Sequence, residues 1–257
     1  MANIDATGSS LSFGLRDCVD LVFTNEELGS QGAAALGSAL IRNRKVHTVR
    51  ASRCGLGDTG VVGLARGIGG SAVQTLYLQG NGFGLVGADA LGRAIELNPS
   101  IQNLFLSSNQ IGDAGVVALI EGMERGGWDN RLSTLYLIDV GLSDAGAVTI
   151  SQLLSKSSAL EELHLSNNAI SDTGAQLIAS ALADHTKLRS LHLSKNVISD
   201  VGVAAFGAAL RSNRVLTELN LGGNNATTAP ALEAIEKQLA QTRAGLPTEA
   251  ASQRVEL

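Results

Sequence analysis

The sequence predicts an α/β solenoid, a stack of strand–helix repeats, and three observations lead there. A phrase of about 28 residues is read eight times. Leucines alternate through the first half of each copy, and apolar residues recur at helical spacing in the second half. The segment Leu160-Glu161-Glu162-Leu163-His164-Leu165-Ser166-Asn167-Asn168-Ala169-Ile170-Ser171-Asp172-Thr173-Gly174 shows the phrase whole. It returns from Leu188 to Gly202, with Leu188, Leu191, Leu193, Asn196, Ile198, Asp200 and Gly202 in the same places. A repeat of this length specifies units that each bury a face against their neighbours, not a globule around one central pocket.

The strand comes first in each repeat. Positions four and six, such as Leu163 and Leu165, alternate and point inward. Stacked in parallel about 4.8 Å apart, the strands align these residues into apolar columns. One column is Leu21, Val49, Leu76, Leu104, Leu135, Leu163, Leu191 and Leu219. The other is Phe23, Ala51, Leu78, Leu106, Leu137, Leu165, Leu193 and Leu221. Position nine follows at Glu26, Cys54, Asn81, Asn109, Val140, Asn168, Asn196 and Asn224, in steps of 28, 27, 28, 31, 28, 28 and 28 residues. An asparagine there can satisfy buried backbone groups of neighbouring turns. Cys54 fits as a small buried residue, whereas Glu26 and Val140 match less well. The long step marks an insertion around Glu124 to Asn130. Its Trp128 reads either as a plug over the widened repeat or as an exposed contact.

The helix comes second. Asp58, Asp113, Asp144, Asp172 and Asp200 stand where a helix N-cap is wanted. Two residues later comes a glycine, as at Gly146, Gly174 and Gly202, expected to let helix and strand layers approach closely. Ile178 with Leu182, and Phe206 with Leu210, show the helical spacing. In the eighth repeat Pro230 replaces the glycine. Proline is tolerated in a first turn, so a more polar helix is expected from about Pro230 to Arg243, suited to a terminal cap. Leu11, Phe13 and Leu15 alternate and suggest a capping strand before the first repeat. The expected organisation is an N-terminal cap segment over 1–17, the repeat domain over 18–243 and a polar tail over 244–257.

From Cys18 to Leu239 the pattern L-x-x-L-x-L-x-x-N-x-I-x-D-x-G resembles leucine-rich repeats of the ribonuclease-inhibitor type. That resemblance implies a curved horseshoe, with a parallel sheet on its concave face and helices on its convex face. It also implies a non-catalytic module that binds other proteins.

Composition agrees. Aromatics make up 3 % of the chain, as thin stacked layers require, and the net charge is −5. An acidic chain without a basic stripe is not expected to bind nucleic acid. Met1 to Ser10 lack an apolar secretory core, and no run is apolar enough to span a membrane. Both cysteines, Cys18 and Cys54, fall on repeat positions and read as buried thiols. Cysteine-rich caps of the extracellular kind are not visible, so a cytoplasmic protein is expected, including one built into cytoskeletal or ciliary assemblies. Outside such assemblies a monomer is expected.

Position five of each strand faces away from the core. It reads Val22, Arg50, Tyr77, Phe105, Tyr136, His164, His192 and Asn220, and holds both tyrosines of the chain. A contiguous aromatic row on an aromatic-poor protein has the composition of a binding hot spot. The other reading is rings that stack on one another and shield the sheet. Beside the row, His47, Arg50 and Arg53 make one end basic. Asp139, Glu161, Glu162 and Glu218 make the other acidic, relieved by Arg189 and Lys195. The candidate partner-binding residues are therefore Arg50, Arg53, Tyr77, Phe105, Tyr136, Asp139, His164 and His192. His164 and His192 are too few ligands for zinc. No nucleophile, metalloprotease or phosphate-loop motif stands in the chain, so neither catalysis nor a cofactor is expected.

A second function follows from a narrower resemblance. Phe23-Thr24-Asn25-Glu26-Glu27 and Lys45-Val46-His47-Thr48-Val49-Arg50 are similar to early repeats of the Ran GTPase-activating protein family. That implies regulation of a small GTPase. The family carries an arginine in the loop after an early strand, and Glu26 stands there instead. A carboxylate would repel nucleotide phosphates. Inhibition of a nuclease ranks lower, since it would favour a strongly acidic face and many cysteines.

Overall fold

The structure, a computed structural model, describes Leu15 and residues 18–127, 131–225 and 229–245. Strands and helices alternate throughout these residues: β1 (Asp20–Val22), α1 (Gly29–Leu40), β2 (Thr48–Arg50), α2 (Gly57–Gly69), β3 (Thr75–Tyr77), α3 (Leu85–Leu97), β4 (Asn103–Phe105) and α4 (Gly112–Arg125). There follow β5 (Thr134–Tyr136), α5 (Asp144–Lys156), β6 (Glu162–His164), α6 (Asp172–Ala183), β7 (Ser190–His192), α7 (Asp200–Ala209), β8 (Glu218–Asn220) and α8 (Ala229–Ala244). The strands form one parallel sheet in chain order. Its register places Leu21 against Val49, and then each residue of that predicted column against the next as far as Leu219. Both columns are buried.

Position nine forms a hydrogen-bonded ladder. Asn81 donates its amide to the Ala51 and Leu78 carbonyls at 2.7 and 2.8 Å, and its Oδ1 accepts the Cys54 N–H at 2.9 Å. Asn109, Asn168 and Asn196 repeat the pattern. Cys54 fills its rung with a thiol 2.9 Å from the Phe23 carbonyl, the group an asparagine amide would meet there. The Val140 side chain offers no hydrogen bond; only its backbone takes part, the N–H donating to Asn168 Oδ1 at 3.1 Å and the carbonyl accepting the Gly112 N–H at 2.8 Å. The side-chain ladder is therefore interrupted in the repeat that follows the insertion.

Two expectations about the helices need correction. The aspartates are not the N-caps of their own helices. Ser143, Ser171 and Ser199 cap α5, α6 and α7, each accepting from the N–H two residues on. The aspartates serve the next repeat. Asp144 Oδ1 accepts the N–H groups of Ser171 and Gly174 at 2.7 and 3.0 Å, and its Oδ2 accepts the Ser171 hydroxyl. Asp113 and Asp172 do the same one repeat earlier and later. Each carboxylate thus meets the positive end of the neighbouring helix. The Asp172 carboxyl is held below its ordinary pKa, chiefly by the Ser199 hydroxyl.

The glycine that follows admits a neighbouring helix and not a strand. A Cβ on Gly174 would lie 2.5 Å from Asp144 Oδ1 and 2.9 Å from Ala147 Cβ, both in the preceding repeat. A Cβ on Gly67 would lie 1.8 Å from the Gly37 carbonyl oxygen, so α1 and α2 touch backbone to backbone.

A second ladder, absent from the sequence reading, runs along the helix-to-strand turns. Asn213 accepts the N–H groups of Val215 and Leu216 and donates to the carbonyls of Leu182 and His185. Asn43 and Asn98 hold equivalent turns. His185 takes this place in its own repeat. Its Nδ1 accepts from Lys187 and Leu188, which leaves the proton on Nε2. That Nε2 lies toward the Ser157 carbonyl and makes no hydrogen bond, although the residue is only 6 % exposed.

At the C-terminal end, α8 buries Ile235 and Leu239 and leaves Glu233, Glu236 and Lys237 exposed, as a capping helix should. At the other end Leu15 is buried. Leu11, Phe13 and Trp128 lie outside the described residues, so the capping strand and the plug are not described either. Among the described residues no helix is long and apolar enough to cross a membrane.

Candidate interaction face

Position five lines up as expected: Val22, Arg50, Tyr77, Phe105, Tyr136, His164, His192 and Asn220 are successive partners across the sheet. The six central side chains form a continuous stack. The Arg50 guanidinium carbon sits 3.9 Å from the Tyr77 ring centroid. Tyr77 and Phe105 stack at 4.3 Å with planes 1° apart, and Phe105 meets Tyr136 at 4.7 Å, tilted by 50°. Tyr136 and His164 stack at 3.8 Å, and His164 and His192 at 4.0 Å. Strand spacing sets this geometry, because in-register side chains on parallel strands sit one ring thickness or so apart.

Stacking changes what the row presents. Ring faces are spent on one another, so ring edges point into the concave space. All six residues are half-buried, while Val22 at the end of the row is 62 % exposed. The rings therefore stack on one another over the sheet, and they do so as one contiguous row.

Position three lies on the same face, two residues earlier in each strand, and sequence reasoning passed over it as a row. Alternation with period two was the available signal. It runs Asp20, Thr48, Thr75, Asn103, Thr134, Glu162, Ser190 and Glu218. Its members fasten the stack. Glu162 Oε1 accepts the Tyr136 hydroxyl at 2.6 Å and lies 2.7 Å from His164 Nε2. An ionised carboxylate only accepts, so His164 carries its proton on Nε2. Ser190 Oγ lies 2.9 Å from His192 Nε2, and Asn103 donates to Thr75 Oγ1 at 3.0 Å.

Electrostatics follow from these contacts. The Glu162 carboxyl titrates below its ordinary range, first because of the His164 hydrogen bond and also because Tyr136 donates to it. Burial and the Glu162 carboxylate push the Tyr136 phenol far above its usual value. Burial, and then the stacked His164, lowers His192. The two imidazoles lie 9° from parallel, so their ring nitrogens point side by side and do not converge on one point. Among the described residues no group of three or more histidines, cysteines, aspartates or glutamates is placed to hold a metal ion.

Arg53 and Asp139 stand at position eight, on the rim where each strand ends. The backbone there is left-handed in all eight repeats, with φ from 55° to 73°. Asn25, Arg53, Ser108, Asp139, Asn167 and Lys195 adopt it without being glycine, at a cost of roughly 1 kcal/mol each. Asp139 accepts from the Asn167 amide at 2.9 Å. Glu26 is exposed in the loop after β1, with its N–H donated to the Phe23 carbonyl. Arg50 thus joins the aromatic row directly, whereas Arg53 and Asp139 flank it from the rim.

Comparison with known proteins supports this architecture. A family model described as Leucine Rich repeat matches residues 97–119, 156–179, 184–207 and 212–235. The chain is 34 % identical over 137 residues to NACHT, LRR and PYD domains-containing protein 12 of Mus musculus, covering 52 % of this chain and 13 % of that protein. It is 30 % identical over 139 residues to Leucine-rich repeat-containing protein 45 of Gallus gallus, covering 53 % and 20 %. It is 29 % identical over 129 residues to Ribonuclease inhibitor of Sus scrofa, covering 49 % and 28 %. The matches therefore span less than a third of each of these relatives. Among solved structures, Leiomodin-1 Actin-Binding Site 2 superposes with a TM-score of 0.56 at 16 % identity, covering 66 % of this chain and 95 % of that one, a likeness of fold.

Proposed function

We propose that this chain, a leucine-rich repeat protein of the ribonuclease-inhibitor type, is a non-catalytic adaptor or scaffold that holds a protein partner on its concave face. The observation that carries the reading is the unbroken stack from Arg50 to His192. Folding does not demand it. The sheet is already held by two apolar columns and the position-nine ladder, and uncharged polar residues would serve on a solvated face. Aromatic and arginine side chains fixed in place by neighbours lose little entropy on binding, and that is where interface energy concentrates. The relatives include a protein named as an inhibitor and a structural neighbour titled as an actin-binding site. Both names accord with a binding module, and neither identifies the partner here.

The test is Tyr77, Phe105 and Tyr136 changed together to alanine. Partners are recovered by cross-linking and affinity purification from native extract and identified by mass spectrometry. A partner bound by the wild type and lost from the folded variant supports the concave-face reading. Retention of every partner with unchanged affinity overturns it.

A further inference from the structure

The concave face is electrically uneven: Asp20 of β1 stands beside the basic strand and Arg189 beside Glu161, yet positive charge gathers at β2 and negative charge at β6. Strand β2 places two guanidiniums at one end, Arg50 on the stack and Arg53 on the rim. Two arginines three residues apart, with no carboxylate at ion-pair distance among the described residues, stand out in a chain of net charge −5. Strands β3 and β4 then present only uncharged side chains at positions three and five: Thr75, Tyr77, Asn103 and Phe105. Beyond them, β6 carries Glu162 at position three with Glu161 just before it, while Asp139 stands on the rim where β5 ends, and among the described residues none of the three meets an arginine or lysine at ion-pair distance. The carboxylate of Glu162 is bonded to Tyr136 and His164, so it is held in place and kept ionised.

We infer that the face takes a charge-asymmetric peptide segment of its partner, with carboxylates at the Arg50–Arg53 end and a lysine or arginine at the Glu162 end. This rests on the concave-face reading above and adds the partner's chemistry and polarity to it. Four strand spacings separate β2 from β6, about 19 Å. That distance is about 13 residues of helix or about six residues of extended chain. Between the charged ends the occupant lays apolar or amide side chains against the edges of Tyr77 and Phe105. Guanidiniums recognise carboxylates with two parallel hydrogen bonds, so Arg50, already oriented by Tyr77, is the stronger anchor. A second copy of this chain would have to present the same charge order on a convex or terminal surface, and it is an outcome of the test.

The experiment is a displayed library of random 16-residue peptides selected on the full chain. Enriched peptides are then made with a fluorescent label and titrated by anisotropy against wild type, R50E/R53E and R50Q/R53Q, with circular dichroism confirming that each variant folds. The expected result is acidic residues enriched at one end and basic residues at the other. Affinity should fall at least tenfold on R50E/R53E and less on R50Q/R53Q, and peptides selected on R50E/R53E should have a basic residue where the wild type selects an acidic one. Library peptides without this charge order, no enrichment at all, equal affinity for R50E/R53E, or sedimentation of the chain as a dimer lost on R50E/R53E would each overturn the inference. A native partner lost from the Tyr77/Phe105/Tyr136 variant and kept by R50E/R53E would overturn this inference while leaving the concave-face reading intact.

Discussion

The Tyr136 ring lies flat over the His164 imidazole, centroids 3.8 Å apart and planes 14° from parallel, while both side chains bond to one oxygen of Glu162. The three residues come from two adjacent strands. They form the best-fastened part of the concave face, so stacking and hydrogen bonding can be separated there by substitution.

Tyr136→Phe keeps the ring and removes only the hydroxyl donated to Glu162. A bond to a charged acceptor in a half-buried site contributes on the order of 1–2 kcal/mol. Tyr136→Ala also removes the stack with Phe105 and His164 and should lose about 3 kcal/mol or more. Urea denaturation of both variants checks the order, and equal midpoints would show that the stack contributes nothing.

Asp144→Ala should damage the helix that follows its own. It strips acceptors from Ser171, Gly174 and the Ser171 hydroxyl at the start of α6, a cap worth about 1–2 kcal/mol. Amide hydrogen exchange should then speed up in the first turn of α6 and stay slow in α5. The reverse pattern would mean that the aspartate caps its own helix after all.

Cys54→Asn should be tolerated, because the amide can donate to the Phe23 carbonyl as Asn81 donates to Ala51. Cys54→Val should cost only about 0.5–1.5 kcal/mol, because the Phe23 carbonyl loses the thiol but still accepts the Glu26 N–H. Burial also raises the Cys54 thiol pKa, so a thiol reagent at pH 8 should label Cys54 only as fast as the chain opens.

His185 and His192 give the protein a pH dependence of definite sign. Burial lowers both folded-state values, so the unfolded chain binds more protons as pH falls through the ordinary histidine range. Stability is therefore fully present above pH 7 and declines toward pH 5. Glu162 adds a later loss: its depressed carboxyl stabilises the fold above the ordinary carboxylate range and gives this up as pH falls through its folded value. His185→Asn should reduce the decline between pH 7 and 5 without loss at pH 8, since asparagine holds the equivalent turns at Asn43, Asn98 and Asn213. Thermal midpoints across that range decide it, and an unchanged slope would clear His185 of the effect.

The architecture was legible because a solenoid turns periodicity in the chain directly into adjacency in space. Once Leu163 and Leu191 occupy the same place in successive repeats, parallel stacking puts them side by side, and Tyr136 and His164 follow by the same count. The residues least legible were those whose partner lies one repeat away. Asp144 is at the right place to cap α6 or to act within α5, and its position in the phrase is identical in either case. His185 resembles no asparagine in the alphabet of residue types, yet its Nδ1 stands where an asparagine oxygen would.

By itself the sequence determined the period, the sheet order, the inward columns and the row that faces the concave space, because each depends only on spacing along the chain. Tertiary structure alone decided how neighbouring repeats bond: the aspartates reaching forward to the next helix, the glycines yielding to the previous one, and the rings turned face to face. Those contacts depend on the distance and angle between stacked units, which are set jointly by helix packing and strand spacing. The interruption at Val140 shows the same division. Its place in the register is readable from the long step in the repeat, but the rung it fails to supply appears only when Asn109 and Asn168 stand on either side of it.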